Sequence, residues 1–325
     1  MKARIVSTGY YLPEKVLTNK DLEKIVDTTE EWITQRTGIY ERRIAAENEA
    51  SSDMGIEAAR MALERGGIAP GDVDAVICAT ITPDHFFPST ASIVQKELGL
   101  TAAFAFDLSA ACSGFLYSLE SARSLILSGS AETVLVVAAE KMSSITDWTD
   151  RSTCVLFGDG AGAAVLKKDN SGSGILSTYM KCDGSMGDLL KIPAGGSRAP
   201  ATIQTVQQRL HFLQMEGNEV FKVAVRRMLE SAGAVIGEAG LSPDDIKLII
   251  PHQANLRIID AISKRLKLRN GQVFINLDKT GNTSAASIAI SLAEADEQGL
   301  INQGDHVVLV SFGAGFTWAG VAIRW

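Results

Sequence analysis

The chain repeats itself, and that repetition constrains its fold more than any other feature. Gly67-Ile-Ala-Pro70-Gly-Asp72-Val-Asp-Ala-Val76-Ile returns 173 positions later as Gly240-Leu-Ser-Pro243-Asp-Asp245-Ile-Lys-Leu-Ile249-Ile. The same offset carries Ser118-Leu119 onto Ser291-Leu292 and Val134-Leu-Val-Val137 onto Val307-Val-Leu-Val310. Near the start, Ile5-Val-Ser-Thr8 echoes Ile175-Leu-Ser-Thr178. Phe157-Gly158-Asp-Gly160 echoes Phe312-Gly313-Ala-Gly315, but at an offset of 155, which places 18 extra residues in the first half between Ala138 and Leu156. A single echo arises by chance; several in one order mark a duplication. The division falls between residues 1–170 and 171–325.

Within each half the hydrophobic pattern alternates between helix and strand. Residues 54–65 and 218–237 carry helical spacing, and 113–128 and 285–298 read as helices of small and apolar residues. Residues 74–80 and 247–250 are short β-rich runs after a Pro turn. Residues 133–138 and 306–311 are unbroken apolar strands, the pattern expected where both sheet faces are covered. Alternating elements of this kind predict an α/β protein with mostly parallel strands and helices on the sheet faces. Two such halves pack most simply about a pseudo-twofold axis, with ligand sites at the strand C-termini where they meet.

Composition narrows the class. At 325 residues with 46% hydrophobic side chains, the chain buries a sizeable core, which excludes disorder and a disulfide-stapled miniprotein. No apolar run reaches the length of a membrane span, and the first residues do not resemble a signal peptide. Cys78, Cys112, Cys154 and Cys182 form no CxxC pair, which argues against a metal site and fits a reducing cytoplasm. A formal charge of −7 disfavours nucleic-acid binding.

Cys112 lies in Ser109-Ala-Ala-Cys112-Ser-Gly-Phe115, between an apolar segment and a helix. A thiol at a helix N-terminus meets free N–H groups and the positive end of the helix dipole, so its pKa is expected to fall. A lone cysteine is more often a small buried hydrophobe, and Cys78, Cys154 and Cys182 are read that way. Pro251-His252-Gln-Ala-Asn255 stands at the end of a strand, where a catalytic side chain is expected. The offset of 173 maps Cys112 onto Ala285, so Asn282 lies three positions before the cysteine's repeat mate. An Asn before a helix is more often only a cap, but the symmetry brings Cys112, His252 and Asn282 together on the axis. Gly158-Asp-Gly160-Ala-Gly162-Ala163 matches a dinucleotide fingerprint in letters only, because a strand follows it instead of a helix. Phe312-Gly-Ala-Gly315-Phe-Thr-Trp318 reads as a tight turn between strands, able to offer N–H groups to an oxyanion.

These motifs resemble those of the thiolase-fold condensing enzymes, above all the β-ketoacyl-acyl-carrier-protein synthase III family. The likeness also covers Asp27-Thr-Thr-Glu-Glu-Trp32-Ile-Thr-Gln-Arg36-Thr37-Gly-Ile, Asp150-Arg151-Ser-Thr, Glu216-Gly-Asn218-Glu-Val-Phe221-Lys222 and Gly281-Asn282-Thr-Ser. It implies a thiolase-like duplicated fold, with two pseudo-twofold halves, mixed five-stranded sheets and αβαβα layering. It implies that Cys112 takes an acyl group from acyl-CoA, and that His252 and Asn282 then stabilise the enolate formed when malonyl-acyl carrier protein loses carbon dioxide. Both steps in one site would make this a multifunctional acyltransferase, with coenzyme A thioester as substrate and no cofactor. The N–H groups of Cys112 and Ala314 would hold the oxyanion, and Phe312 would shield the thiolate.

The resemblance further implies that Trp32 and Arg151 sandwich the adenine, with Thr28, Arg36, Thr37 and Asn218 along the rest of coenzyme A. Arg151 falls inside the 138–156 insertion, which would then be a coenzyme A-binding element. On residue type alone Trp32 reads as a helix anchor. Phe87 would floor the acyl pocket of a second subunit, implying a homodimer. Five basic residues and one acid lie between Arg257 and Arg269, and Lys222, Arg226 and Arg227 form a second cluster. Lys222, Arg257 and Lys264 are therefore candidates for docking the acidic carrier protein. Two alternatives remain: a specialised starter-unit or quinolone/polyketide-type condensing enzyme on the same three residues, and a thioester hydrolase using Cys112 and His252 alone.

Overall fold

A computed structural model describes residues 2–325. Its two main sheets repeat one strand order. Across the first run Lys2–Tyr11, Gly160–Asp169, Thr133–Glu140, Ala75–Ala79 and Phe104–Leu108. Across the second run Gly174–Cys182, Thr317–Arg324, His306–Gly313 and Ile246–Pro251. Each sheet is mixed: the first two ladders in each order are antiparallel, and the ladders from Thr133–Glu140 and from His306–Gly313 out to the opposite edge are parallel. The register repeats as well: Ile77 faces Val136 in the first sheet, and Ile250 faces Leu309 in the second. Both edge ladders bulge at the same place, at Val6 and at Leu176.

Burial explains the unbroken apolar strands. In Thr133–Glu140, Val134, Val136 and Ala138 face the central helices, while Leu135, Val137 and Ala139 face the outer helix Ser51–Gly66. The central layer is the helix pair Gly114–Ser128 and Ala286–Glu297, packed between both sheets. Helices Gly217–Glu238 and Leu256–Leu266 cover the far side of the second sheet. The layers therefore run αβαβα. Gly114 lets the two central helices approach, since a Cβ there would lie 3.3 Å from that of Ala285.

Two expectations need correction. The second sheet has four strands, with its fifth position reduced to an isolated bridge between Ile249 and Val273. Three residues after Val273 the backbone turns at Asn276 into the Leu277–Thr280 helical turn, so no ladder propagates. The Phe-Gly-x-Gly echo is also out of register. Glu140 pairs with Gly160 and Gly313 with Thr317, leaving 19 residues between the first pair and three between the second, an excess of 16 where 18 were expected. The glycines answer different crowding: a Cβ at Gly158 would strike Thr280 O at 2.3 Å, and one at Gly313 would strike Cys112 N at 2.6 Å.

Candidate active site

Cys112, His252 and Asn282 line one cavity of about 130 Å³ between the halves, together with Ser284, Phe312 and Ala314. Each arrives at the end of a strand or the start of a helix. Cys112 sits in a single helical turn, Ala111–Ser113, ahead of the first central helix. That turn begins with Ala111 at φ 47°, a left-handed conformation that non-glycine residues hold only under constraint. The constraint is visible: Thr317 Oγ1 donates to Ala110 O at 2.9 Å, tying the cysteine elbow to the hairpin that carries Ala314. Gly313 leaves the Cys112 N–H uncrowded.

The thiol departs from expectation. Burial pushes the Cys112 pKa up to about 12, with the nearby Glu140 carboxylate adding to the rise. Burial thus opposes the lowering expected from the helix N-terminus. Cys112 Sγ donates instead to Ser284 Oγ at 3.6 Å.

His252 follows the strand Ile246–Pro251 and is held by its N–H donating to Val310 O at 2.8 Å. It is buried, its Nδ1 has no hydrogen-bond partner, and desolvation lowers its pKa to about 4. The imidazole is therefore neutral at ordinary pH. Next to it, Gln253 bolts two segments together: Nε2 donates to Pro251 O and Phe274 O, while Oε1 accepts from Asn276 N and Leu277 N. Asn276 opens the segment that leads to Asn282. There the Asn282 N–H donates to Leu156 O, and Asn282 Oδ1 accepts from Ser284 N at 2.9 Å. With its carbonyl engaged, the side chain has only its amide N–H groups to offer a ligand. A neutral imidazole and a carboxamide donor can share an oxygen that gains negative charge.

The apolar end of the cavity is formed by Ile81, Met142, Phe157, Leu190, Leu213 and Met215. The sequence reading did not single these out individually, because they come from five separated segments. It also missed Ser284 as a thiol partner and Glu140, the buried acid that ends the apolar strand Thr133–Glu140. A signal for Glu140 was present: it is the one charged residue in that strand.

Outside the cavity lining, the Arg151 guanidinium lies 4.9 Å and that of Arg36 5.6 Å from the Trp32 ring centroid. Arg151 also donates to Asp27 O. Trp32 and Arg151 thus stack on each other, so a ring can enter between them only if they part. Thr28 presents a buried hydroxyl with no partner. Asn218 is exposed on the first turn of its helix, next to the cavity-lining Gly217. Thr37 is buried, and its hydroxyl donates to Ile33 O and accepts from Ile39 N, shaping the helix end.

Phe87 is 86% exposed and lies outside the lining of its own chain's cavity. Arg257 is exposed over the Phe221 ring, Lys264 is exposed, and Lys222 pairs with Glu219. Among the described residues, no cluster of metal-ligating side chains occurs, and no helix is long and apolar enough to cross a membrane.

Comparison with known proteins places this geometry. Two family models match, described as 3-oxoacyl-[acyl-carrier-protein] synthase III over residues 106–184 and its C-terminal part over 236–325. The chain is 56% identical over 323 residues to β-ketoacyl-[acyl-carrier-protein] synthase III of Caldanaerobacter subterraneus subsp. tengcongensis, covering 99% of this chain and 98% of that one. The crystal structure of 3-oxoacyl-[acyl-carrier-protein] synthase III from Aquifex aeolicus superposes with a TM-score of 0.92 at 49% identity, covering 99% of this chain and all of that one. The priming β-ketosynthase of the R1128 polyketide pathway gives the same TM-score at 38% identity, with 99% and 96% covered. With similarity running along the whole chain at more than half identity, and with the cysteine, histidine and asparagine facing one cavity, the chain belongs to the β-ketoacyl-[acyl-carrier-protein] synthase III family.

Proposed function

We propose that this chain catalyses the decarboxylating Claisen condensation of an acyl-CoA primer with malonyl-acyl carrier protein, the step that initiates fatty acid synthesis. The observation that carries the reading is the shared cavity of Cys112, His252 and Asn282, with the asparagine carbonyl engaged and the imidazole neutral. Cys112 sulfur bonds to the acyl carbon, and the thioester bond to coenzyme A breaks. The Cys112 and Ala314 N–H groups hold the oxygen of the tetrahedral intermediate. Such a donor is typically worth about 2.7–4 kcal/mol in the transition state.

The malonyl thioester then loses carbon dioxide. Its oxygen, gaining charge as an enolate, accepts from Asn282 Nδ2 and His252. Two neutral donors stabilise that charge without protonating the carbanion, and Phe312 walls the thiolate from water. The carbanion bonds to the acyl carbon and Cys112 is released. The coenzyme A thioester is a substrate, and the proposal assigns no cofactor.

Trp32, Arg36, Thr37, Arg151, Thr28 and Asn218 form the coenzyme A mouth in this reading, and the two halves, 1–170 and 171–325, meet around the tunnel. A homodimer is proposed. The edge strand Phe104–Leu108 exposes Phe104 and Phe106, and exposed Phe86 and Phe87 extend the apolar surface available to a second copy. The carrier protein would dock on Arg257, Lys264 and Lys222. Charge reversal at Arg257 should weaken use of malonyl carrier protein and spare transfer from acyl-CoA to Cys112; equal loss in both half-reactions rejects that surface.

Peptide mass spectrometry after incubation with mixed acyl-CoAs tests the central claim. The expected result is a stable acyl group on Cys112 that malonyl carrier protein discharges as a 3-oxoacyl product. Free acid without carrier protein would instead show a hydrolase. The likeness to a priming polyketide synthase favours, as the second reading, a specialised starter-unit enzyme; a marked preference for an unusual acyl group would select it.

A further inference from the structure

One buried titratable group at the site has no part in the chemistry above. Glu140 ends the strand Thr133–Glu140 and is fully buried, yet among the described residues no lysine or arginine side chain pairs with it. Its Oε2 accepts from Thr80 Oγ1 (3.2 Å), Ile81 N (3.1 Å), Thr82 N (3.2 Å) and Thr82 Oγ1 (2.6 Å). Its Oε1 accepts from Ser284 Oγ at 3.0 Å and Ala285 N at 3.4 Å.

The hydroxyl protons have determined directions. Thr80 Oγ1 accepts from Thr82 N, Thr82 Oγ1 accepts from Lys141 N, and Ser284 Oγ accepts from Cys112 Sγ. Each hydroxyl therefore turns its one proton toward Glu140. Six donors on two oxygens describe a carboxylate. The result is an unbroken chain: the Cys112 thiol donates to the Ser284 hydroxyl, which donates to the Glu140 carboxylate.

We propose that Ser284 and Glu140 form a proton relay that activates Cys112. The S–H bond breaks as its proton passes to Ser284 Oγ, and the hydroxyl proton of Ser284 passes to Glu140 Oε1. Ser284 then points its O–H at the thiolate, and Glu140 is a neutral acid. One buried negative charge moves from oxygen to sulfur and none is created, so the site avoids adding a second uncompensated ion to a dry interior. Coenzyme A leaves as a thiolate and takes its proton from solvent. When condensation expels Cys112, Glu140 returns its proton through Ser284. Burial raises the pKa of the carboxyl and lowers that of the imidazole, so of the two it is the carboxyl that burial makes the readier proton acceptor. These two are the ionisable groups beside the thiol: Glu140 reaches it through Ser284, and His252 faces it across the cavity.

The relay rests on the proposed function for its acyl-transfer role, but the thiol can be tested without substrate. Iodoacetamide alkylation of Cys112, followed by peptide mass from about pH 6 to about pH 9, reads thiolate formation alone. Glu140→Gln and Ser284→Ala should each slow alkylation about 10²-fold. The double variant should be no slower than either single one, because the two residues act as one unit. A purely structural Glu140 predicts the opposite sign: removing its charge eases thiolate formation, so alkylation of Glu140→Gln would be unchanged or faster. Either of those outcomes overturns the relay, as do losses that multiply in the double variant. Should Glu140→Gln fail to fold, Ser284→Ala replaces it, and unchanged alkylation there overturns the proposal. Failure of wild-type enzyme to take an acyl group from acyl-CoA sinks the proposed function instead, and leaves the alkylation result standing.

Discussion

The two halves build the same elbow and use it differently. Ala111 and Ser284 are repeat mates, and both are held left-handed, at φ 47° and 49°. The residues after them, Cys112 and Ala285, open the two central helices. The strand that ends beside each elbow differs at one repeat-related position: Glu140 in the first half, Gly313 in the second. Gly313 lies against Cys112 N and leaves that N–H open. Glu140 crosses to the other elbow, where its carboxylate accepts from Ala285 N–H. The duplicated backbone thus supplied two candidate oxyanion sites. One is open beside a thiol, and the other is filled by a resident anion. Backbone geometry is inherited by both copies, and the chemistry is decided by the side chain facing each N–H.

The largest test of this comparison is to move the nucleophile. Cys112→Ala should abolish acyl transfer, and adding Ala285→Cys should not restore it, because Glu140 occupies the second N–H. An acyl group found on residue 285 by peptide mass would break the comparison. Gly313→Ala would place a Cβ 2.6 Å from Cys112 N. Displacing that donor should lower kcat for acyl transfer about 10²- to 10³-fold, measured in pre-steady-state half-reactions; an unchanged rate would remove Cys112 N–H from the oxyanion hole.

His252 provides a stability test. Its folded pKa, about 4, lies below its ordinary value, so the unfolded chain binds the proton more tightly. The native state keeps its full stability above about pH 6.5 and loses about 3 kcal/mol as pH falls toward 4. Urea unfolding of wild type and His252→Leu across that window should differ by this slope; parallel curves would mean the imidazole is protonated at no extra cost. The smallest effect belongs to the exposed mouth. Arg151→Ala removes one face of the proposed adenine sandwich, a cation–π contact worth about 0.5–1 kcal/mol, and should raise KM for acyl-CoA about three- to fivefold with kcat unchanged.

Local strings carried much of this molecule. The 173-residue offset predicted the strand register of the second half, seen in Ile77 opposite Val136 and Ile250 opposite Leu309. It also drew attention to Asn282. The Phe-Gly-x-Gly echo misled by two residues because glycines recur for unrelated steric reasons, one against Thr280 O and one against Cys112 N.

By itself the sequence determined the duplicated architecture and the identity of the thiol, imidazole and carboxamide, because periodicity and short motifs are properties of neighbouring residues. Only the tertiary structure decided the state of the thiol. A helix N-terminus is local and favours thiolate, whereas burial depends on both halves packing and pushes the pKa up. The same holds for the contact between Glu140 and Ser284, which are 144 residues apart. It exists because two sheets and two central helices close around one axis, and no local pattern encodes a distance set by that closure.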